Sequence, residues 1–136
     1  MPIDLVFPIT PNAIRTHIAV YDDRARELYA QFLIVDCLYP LTLALFLSLW
    51  WTQLLRFAQP QKSIRMVVLL PWLVAILDLS ENAGFGALIW RYPLSMPLLE
   101  LLVTVLRGLK LAVLAIVLLG SLPLLAFWRH SKQSFS

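Results

Sequence analysis

The feature that most constrains this chain is an apolar run over residues 33–55, LIVDCLYPLTLALFLSLWWTQLL, in which Asp36 is the only charge. At a helical rise of ~1.5 Å per residue, its 23 residues are long enough to cross a ~30 Å hydrocarbon core. Two further runs follow. Residues 66–90 are interrupted only by Asp78, Glu81 and Asn82, and residues 98–128 carry Glu100, Arg107 and Lys110 ahead of an uninterrupted apolar part from Leu111. Composition says the same: the 136 residues are 60% apolar and 14% charged, with a mean hydropathy of +0.79. A soluble domain carries about 25% charged residues, because its surface must meet water. A disordered tail, a disulfide-stapled secreted module and a compact nucleic-acid binder are all excluded.

The expected architecture is therefore an all-α integral membrane protein: an antiparallel bundle of three transmembrane helices preceded by an extracytoplasmic amphipathic helix. It forms a single membrane domain over 1–136, with spans at about 31–55, 66–90 and 98–128. Short connections make consecutive helices antiparallel neighbours. Orientation follows from the basic residues. The 56–65 loop carries Arg56, Lys62 and Arg65, and the 129–136 tail carries Arg129 and Lys132, whereas the connection between the second and third spans carries only Arg91. The positive-inside rule then makes the first loop and the C-terminus cytoplasmic and the N-terminal segment external, and the expected location is a bacterial inner (plasma) membrane. Trp50 and Trp51 at one span end and Trp90 at another suit a headgroup interface.

Residues 1–30 cannot span, since they contain Pro2, Pro8 and Pro11, four acidic residues and three arginines. Thr10-Pro11 reads as an N-cap followed by proline in the first turn. Ile14, Ile18 and Tyr21 then mark the apolar face of a short helix that packs as a connector on the bundle. Asp22 or Asp23 caps a second helix leading into the first span. Pro40, Pro71 and Pro123 are the candidate kinks, although Pro71 also suits the start of a regular helix. Ser80-x-x-x-Gly84 and Ala83-x-x-x-Ala87 are small-residue patterns that permit close helix approach.

Some of these stretches carry a resemblance. Ile3-Asp4-Leu5 through Thr10-Pro11, then residues 24–29, then Asp36-Cys37-Leu38-Tyr39-Pro40, and finally Leu70-Pro71 with Asp78-Leu79-Ser80-Glu81-Asn82, resemble a family of uncharacterised small membrane proteins. That family is usually four-helical and pairs a D-x-x-Y/F-P element with a D-x-x-E-N element. The resemblance implies the topology above and no established activity. It also implies a further span ahead of the residue 3–11 segment, so the expectation is either a shortened member of the family or a start assigned too late.

The charges inside the apolar runs are the informative residues, because an acidic or basic side chain at a bilayer centre costs ~2.5–3.5 kcal/mol even on insertion scales. Asp78, Glu81 and Asn82 share one helical face by their i, i+3, i+4 spacing. Glu100, Thr104 and Arg107 repeat that spacing on the third span, with Lys110 one turn beyond, and Asp36 and Tyr39 share a face on the first. With Asp36 one turn inside the outer end of its helix, these faces are expected to meet in one layer. Asp36, Asp78 and Glu81 there oppose Arg107 and Lys110, with Glu100 near the rim. Asp78, the deepest carboxyl, is expected to be tightly ion-paired or protonated.

Two classes of function remain open. One is a non-enzymatic helical bundle or accessory protein organised by the buried charged cluster. The other is a membrane-embedded enzyme or binder acting on a lipid or isoprenoid-like molecule, with Asp78 and Glu81 as acid-base groups and Arg107 and Lys110 holding an anionic group. A proton-coupled carrier is disfavoured, because three spans enclose no pathway without oligomerising. The expected partners are the bilayer, with a bound lipid, other membrane subunits or further copies of the chain, and no nucleic acid. No cofactor or metal is expected: the lone Cys37 and the distant His17 and His130 give no metal-ligand spacing, and Cys37 in apolar surroundings is a poor nucleophile.

Overall fold

The computed structural model describes residues 10–58 and 66–133, with side chains through residue 56 and from 66 to 122. Every regular element among them is helical: α1 Pro11–Val20, α2 Asp23–Asp36, α3 Leu38–Ala58, a 3-10 turn Met66–Leu69, α4 Leu70–Arg91 and α5 Pro97–Gln133. Three stretches are long and apolar enough to cross a membrane, Asp23–Arg56, Met66–Arg91 and Pro97–Leu122.

Local chemistry sets the boundaries. Thr10 Oγ1 accepts from the Ala13 amide at 3.2 Å ahead of Pro11, so α1 starts as its sequence requires. Asp22, rather than Asp23, caps α2, accepting from the Ala25 amide at 2.7 Å. The interruption between α2 and α3 lies four residues ahead of Pro40. Proline has no amide hydrogen for the Asp36 carbonyl, and its ring crowds that carbonyl, so the ladder stops at Asp36 and resumes at Leu38. Pro71 lies in the first turn of α4, where its missing donor is harmless. Helix α5 continues through position 123 without a break and includes residues 129–133, which the sequence reading assigned to a tail. The motif segment at residues 3–5, the loop cations Lys62 and Arg65, and the side chains of Arg129 and Lys132 lie outside the described residues.

Helices α3, α4 and α5 form the bundle, and their apolar contacts fall into two clusters. At the end near the α4–α5 turn, Ile14 and Ile18 of α1 and Tyr29 and Leu33 of α2 pack with Phe85, Leu88, Ile89 and Val103. Toward the other end, Leu47 and Trp51 of α3 pack with Val74, Leu77, Val113 and Val117. The short helix α1 is therefore a packed connector. Rings of His17, Tyr21, Tyr29 and Phe32 contact one another in succession along α1 and α2. Helices α4 and α5 approach closely at Gly84, where a Cβ would overlap Cγ2 of Val103. Of the small-residue patterns, Gly84 alone fits the expected role. Ser80 and Ala83 are exposed, and Ser80 Oγ donates to the Ile76 carbonyl of its own helix at 2.8 Å.

Trp51 corrects another expectation. It is 1% exposed, and its indole Nε1 donates to Ser121 Oγ at 2.9 Å, tying α3 to α5 inside the core instead of facing an interface. A buried indole N–H needs such an acceptor. Ser48 Oγ likewise donates to the Val68 carbonyl at 2.9 Å and fixes the 3-10 turn against α3. Trp90, by contrast, is exposed, with the Arg91 guanidinium 5.8 Å from its ring centre.

Candidate functional site

Between the two apolar clusters lies a charged layer. Along α4 the order is Leu77 of one cluster, then Asp78, Glu81 and Asn82, then Phe85 of the other. Along α5 it is Val103, then Arg107 and Lys110, then Val113. The i, i+3, i+4 arrangement turns both sets of polar groups toward the shared helix interface. Lys110 Nζ donates to Asp78 Oδ1 at 2.8 Å and also pairs with Glu81. Arg107 Nη1 lies 3.4 Å from Glu81 Oε1. Lys110 thus bridges two carboxylates one turn apart on α4, and Glu81 in turn joins the two cations of α5.

The third helix line contributes through Asp36. Asn82 Nδ2 donates to Asp36 Oδ2 at 3.1 Å, joining the D-x-x-Y-P and D-x-x-E-N elements by a direct hydrogen bond. Asp36 is the last residue of α2, but within the stretch Asp23–Arg56 it lies more than one turn from either end. Helix α2 continues above it for most of its 14 residues and packs beside the last turns of α4, so Asp36 sits level with Asn82. The sequence reading took the apolar run as the span. The helix that matters begins earlier, at Asp23.

Not all the expected residues join this layer. Glu81, at 1% exposure, is the most enclosed carboxylate of the group, whereas Asp78 is half-buried. Glu100 is buried but belongs to a separate site. Two turns of α5 divide it from Arg107, about 10 Å along the axis, and its partner is Arg15 of α1. The Arg15 guanidinium donates to both carboxylate oxygens of Glu100, Nη2 reaching Oε2 at 3.0 Å and Nε reaching Oε1 at 3.2 Å. Thr104 Oγ1 donates to the Glu100 carbonyl at 2.8 Å, a bond within α5 that adds nothing to the layer. Tyr39 is 63% exposed and faces the neighbouring cavity without entering the ion-pair network.

That cavity, of about 510 Å³, lies among α3, α4 and α5. Asp36, Tyr39, Asp78, Asn82, Arg107 and Lys110 supply its polar lining, and Pro40, Leu43, Leu47, Val74, Leu114 and Val117 are among its apolar walls. Glu81 is absent from the lining, standing behind Lys110. Cys37 donates its thiol to the Leu33 carbonyl at 3.2 Å and takes no part. Among the described residues, no three His, Cys, Asp or Glu side chains are arranged to hold a metal ion.

Two features escaped the sequence reading. Arg15 sits beside Ile14 on the bundle-facing side of α1, and only the docking of that helix brings it to Glu100. The Trp51–Ser121 bond joins residues 70 positions apart with no shared motif. Comparison with known proteins finds no matching family model, no matching curated protein and no matching solved structure.

Proposed function

We propose that this chain is an integral membrane protein whose charged layer locks three spans in register, and that it acts as a non-enzymatic bundle or accessory subunit. The observation that carries the reading is Lys110 joined to both Asp78 and Glu81 across the α4–α5 interface, in a bundle whose outward faces are apolar. Leu45, Phe46 and Leu49 on α3, Ile76 on α4, and Val105, Leu109 and Ile116 on α5 are all exposed. Such residues suit lipid, and charges within such helices are turned inward and paired. Mutually paired groups also specify which helices meet and at what register.

In the same proposal the N-terminal segment is external, the C-terminus is cytoplasmic and the membrane is a bacterial plasma membrane. The resemblance to small multi-span membrane proteins is kept on the strength of its two motifs meeting at Asp36 and Asn82. The lipid-enzyme reading has less support, because Arg107 and Lys110 are both engaged by carboxylates and neither is a spare cation for an anionic substrate. Alkaline extraction of membranes, with reporters fused at the C-terminus and in the 56–65 loop, tests the proposal. Retention in the pellet with both reporters cytoplasmic is expected. Release into the supernatant, or reporters on opposite sides, would contradict it.

A further inference from the structure

Among the described residues, the carboxylates of the charged layer beside the cavity outnumber its cations by one. Three carboxylates, Asp36, Asp78 and Glu81, meet two cations, Arg107 and Lys110. Asp78 and Glu81 hold those cations. Asp36 is held by the neutral Asn82 amide, and among the described residues no cation lies within ion-pair distance of it. Asp36 also lines the cavity, so the position that lacks a positive charge is open to a ligand. Because Asn82 donates through Nδ2, its carbonyl oxygen is a second acceptor beside Asp36, and Asn82 lines the cavity with it.

The remaining walls are aliphatic, and the cavity has a side opening. Tyr39 on α3 and Leu111 and Leu118 on α5 line it and are themselves exposed. In the membrane orientation proposed above, this opening faces acyl chains rather than water. A ligand matching these surfaces has a protonated amine head and an apolar tail, and reaches the site from within the bilayer.

We propose that the cavity is a binding site for an amine-bearing membrane lipid, its ammonium group held by Asp36 and its chain lying along the aliphatic wall. The site is the reverse of a phosphate cradle: among the described residues, Arg107 and Lys110 are paired with carboxylates, and Asp36 is the carboxylate that no cation pairs. An amine with three donors can meet the Asp36 carboxylate and the neighbouring Asn82 oxygen together. The inference rests on the bilayer reading above.

The test is native mass spectrometry of the full chain in non-ionic detergent, titrated separately with phosphatidylethanolamine and phosphatidylglycerol of identical acyl chains. Phosphatidylethanolamine is expected to bind about tenfold more tightly, as one charge-assisted contact would give. Asp36→Asn, which keeps the shape of the side chain, should abolish that preference and leave phosphatidylglycerol binding unchanged. Leu118→Trp, which narrows the opening, should weaken both lipids. Equal or tighter binding of phosphatidylglycerol to the unmodified chain would overturn the proposal, as would a preference that survives Asp36→Asn. The first comparison needs no variant, so a poorly folding substitution cannot shelter the idea. A chain that resists alkaline extraction yet shows no amine preference refutes this site alone. One that extracts as a soluble protein refutes the bilayer reading.

Discussion

Arg15 and Lys110 each reach a carboxylate on a neighbouring helix, yet their surroundings differ. The Arg15 side chain is 50% exposed and holds Glu100 from outside the bundle, while Lys110 is enclosed between α4 and α5 with Asp78 and Glu81. The first pair fastens a peripheral helix. The second sits in the middle of the helix interface, where the other cation of the layer, Arg107, is already paired with Glu81. Similar chemistry thus has unequal consequences, because solvent reaches Arg15 far more readily than Lys110, whose side chain is 17% exposed.

The largest expected effect follows from breaking the enclosed set. Lys110→Met leaves Asp78 without its cation and should cost about 3–5 kcal/mol of stability, read as a loss of the folded fraction in thermal unfolding in detergent. An uncharged contact between the same two helices sharpens the comparison. Gly84→Val drives a methyl group into Val103 and should cost roughly 1–3 kcal/mol through overpacking, less than the charge deletion. Arg15→Ala is expected to cost on the order of 1 kcal/mol, since Arg15 is the half-exposed partner and water entering the space it vacates screens the buried Glu100. Raising the salt to ~1 M, where the Debye length is ~3 Å, should shrink that difference and leave the Lys110→Met deficit nearly intact. Ser121→Ala removes the acceptor of the Trp51 indole and should have the smallest effect, roughly 0.6 kcal/mol.

The contrast also explains what could be read from the chain in advance. Spacing alone placed Asp78, Glu81 and Asn82 on one face and Arg107 and Lys110 on another, because helical periodicity is local and apolar surroundings leave charges few directions to turn. The capping of α1 and α2 and the role of Pro71 were legible for the same reason. What failed depended on how helices dock. Glu100 has the spacing to join Arg107 in sequence, but its partner arrives on α1, whose orientation no local pattern encodes. Trp51 at the end of an apolar run looks like an interfacial anchor until Ser121 is found beside it. The helix capped at Asp22 was legible, but the depth of Asp36 was reckoned from the start of the apolar run, whereas the stretch long and apolar enough to span begins at Asp23.

The central claim is that the enclosed charges act as one coupled unit that holds α4 to α5. The most direct test compares unfolding free energies of Lys110→Met, Asp78→Asn and the two combined. Removing both partners leaves Glu81 with Arg107, a balanced pair, so the double variant should be more stable than Lys110→Met alone by at least about 2 kcal/mol. Losses that simply add, leaving the double variant weaker than either single one, would contradict the claim.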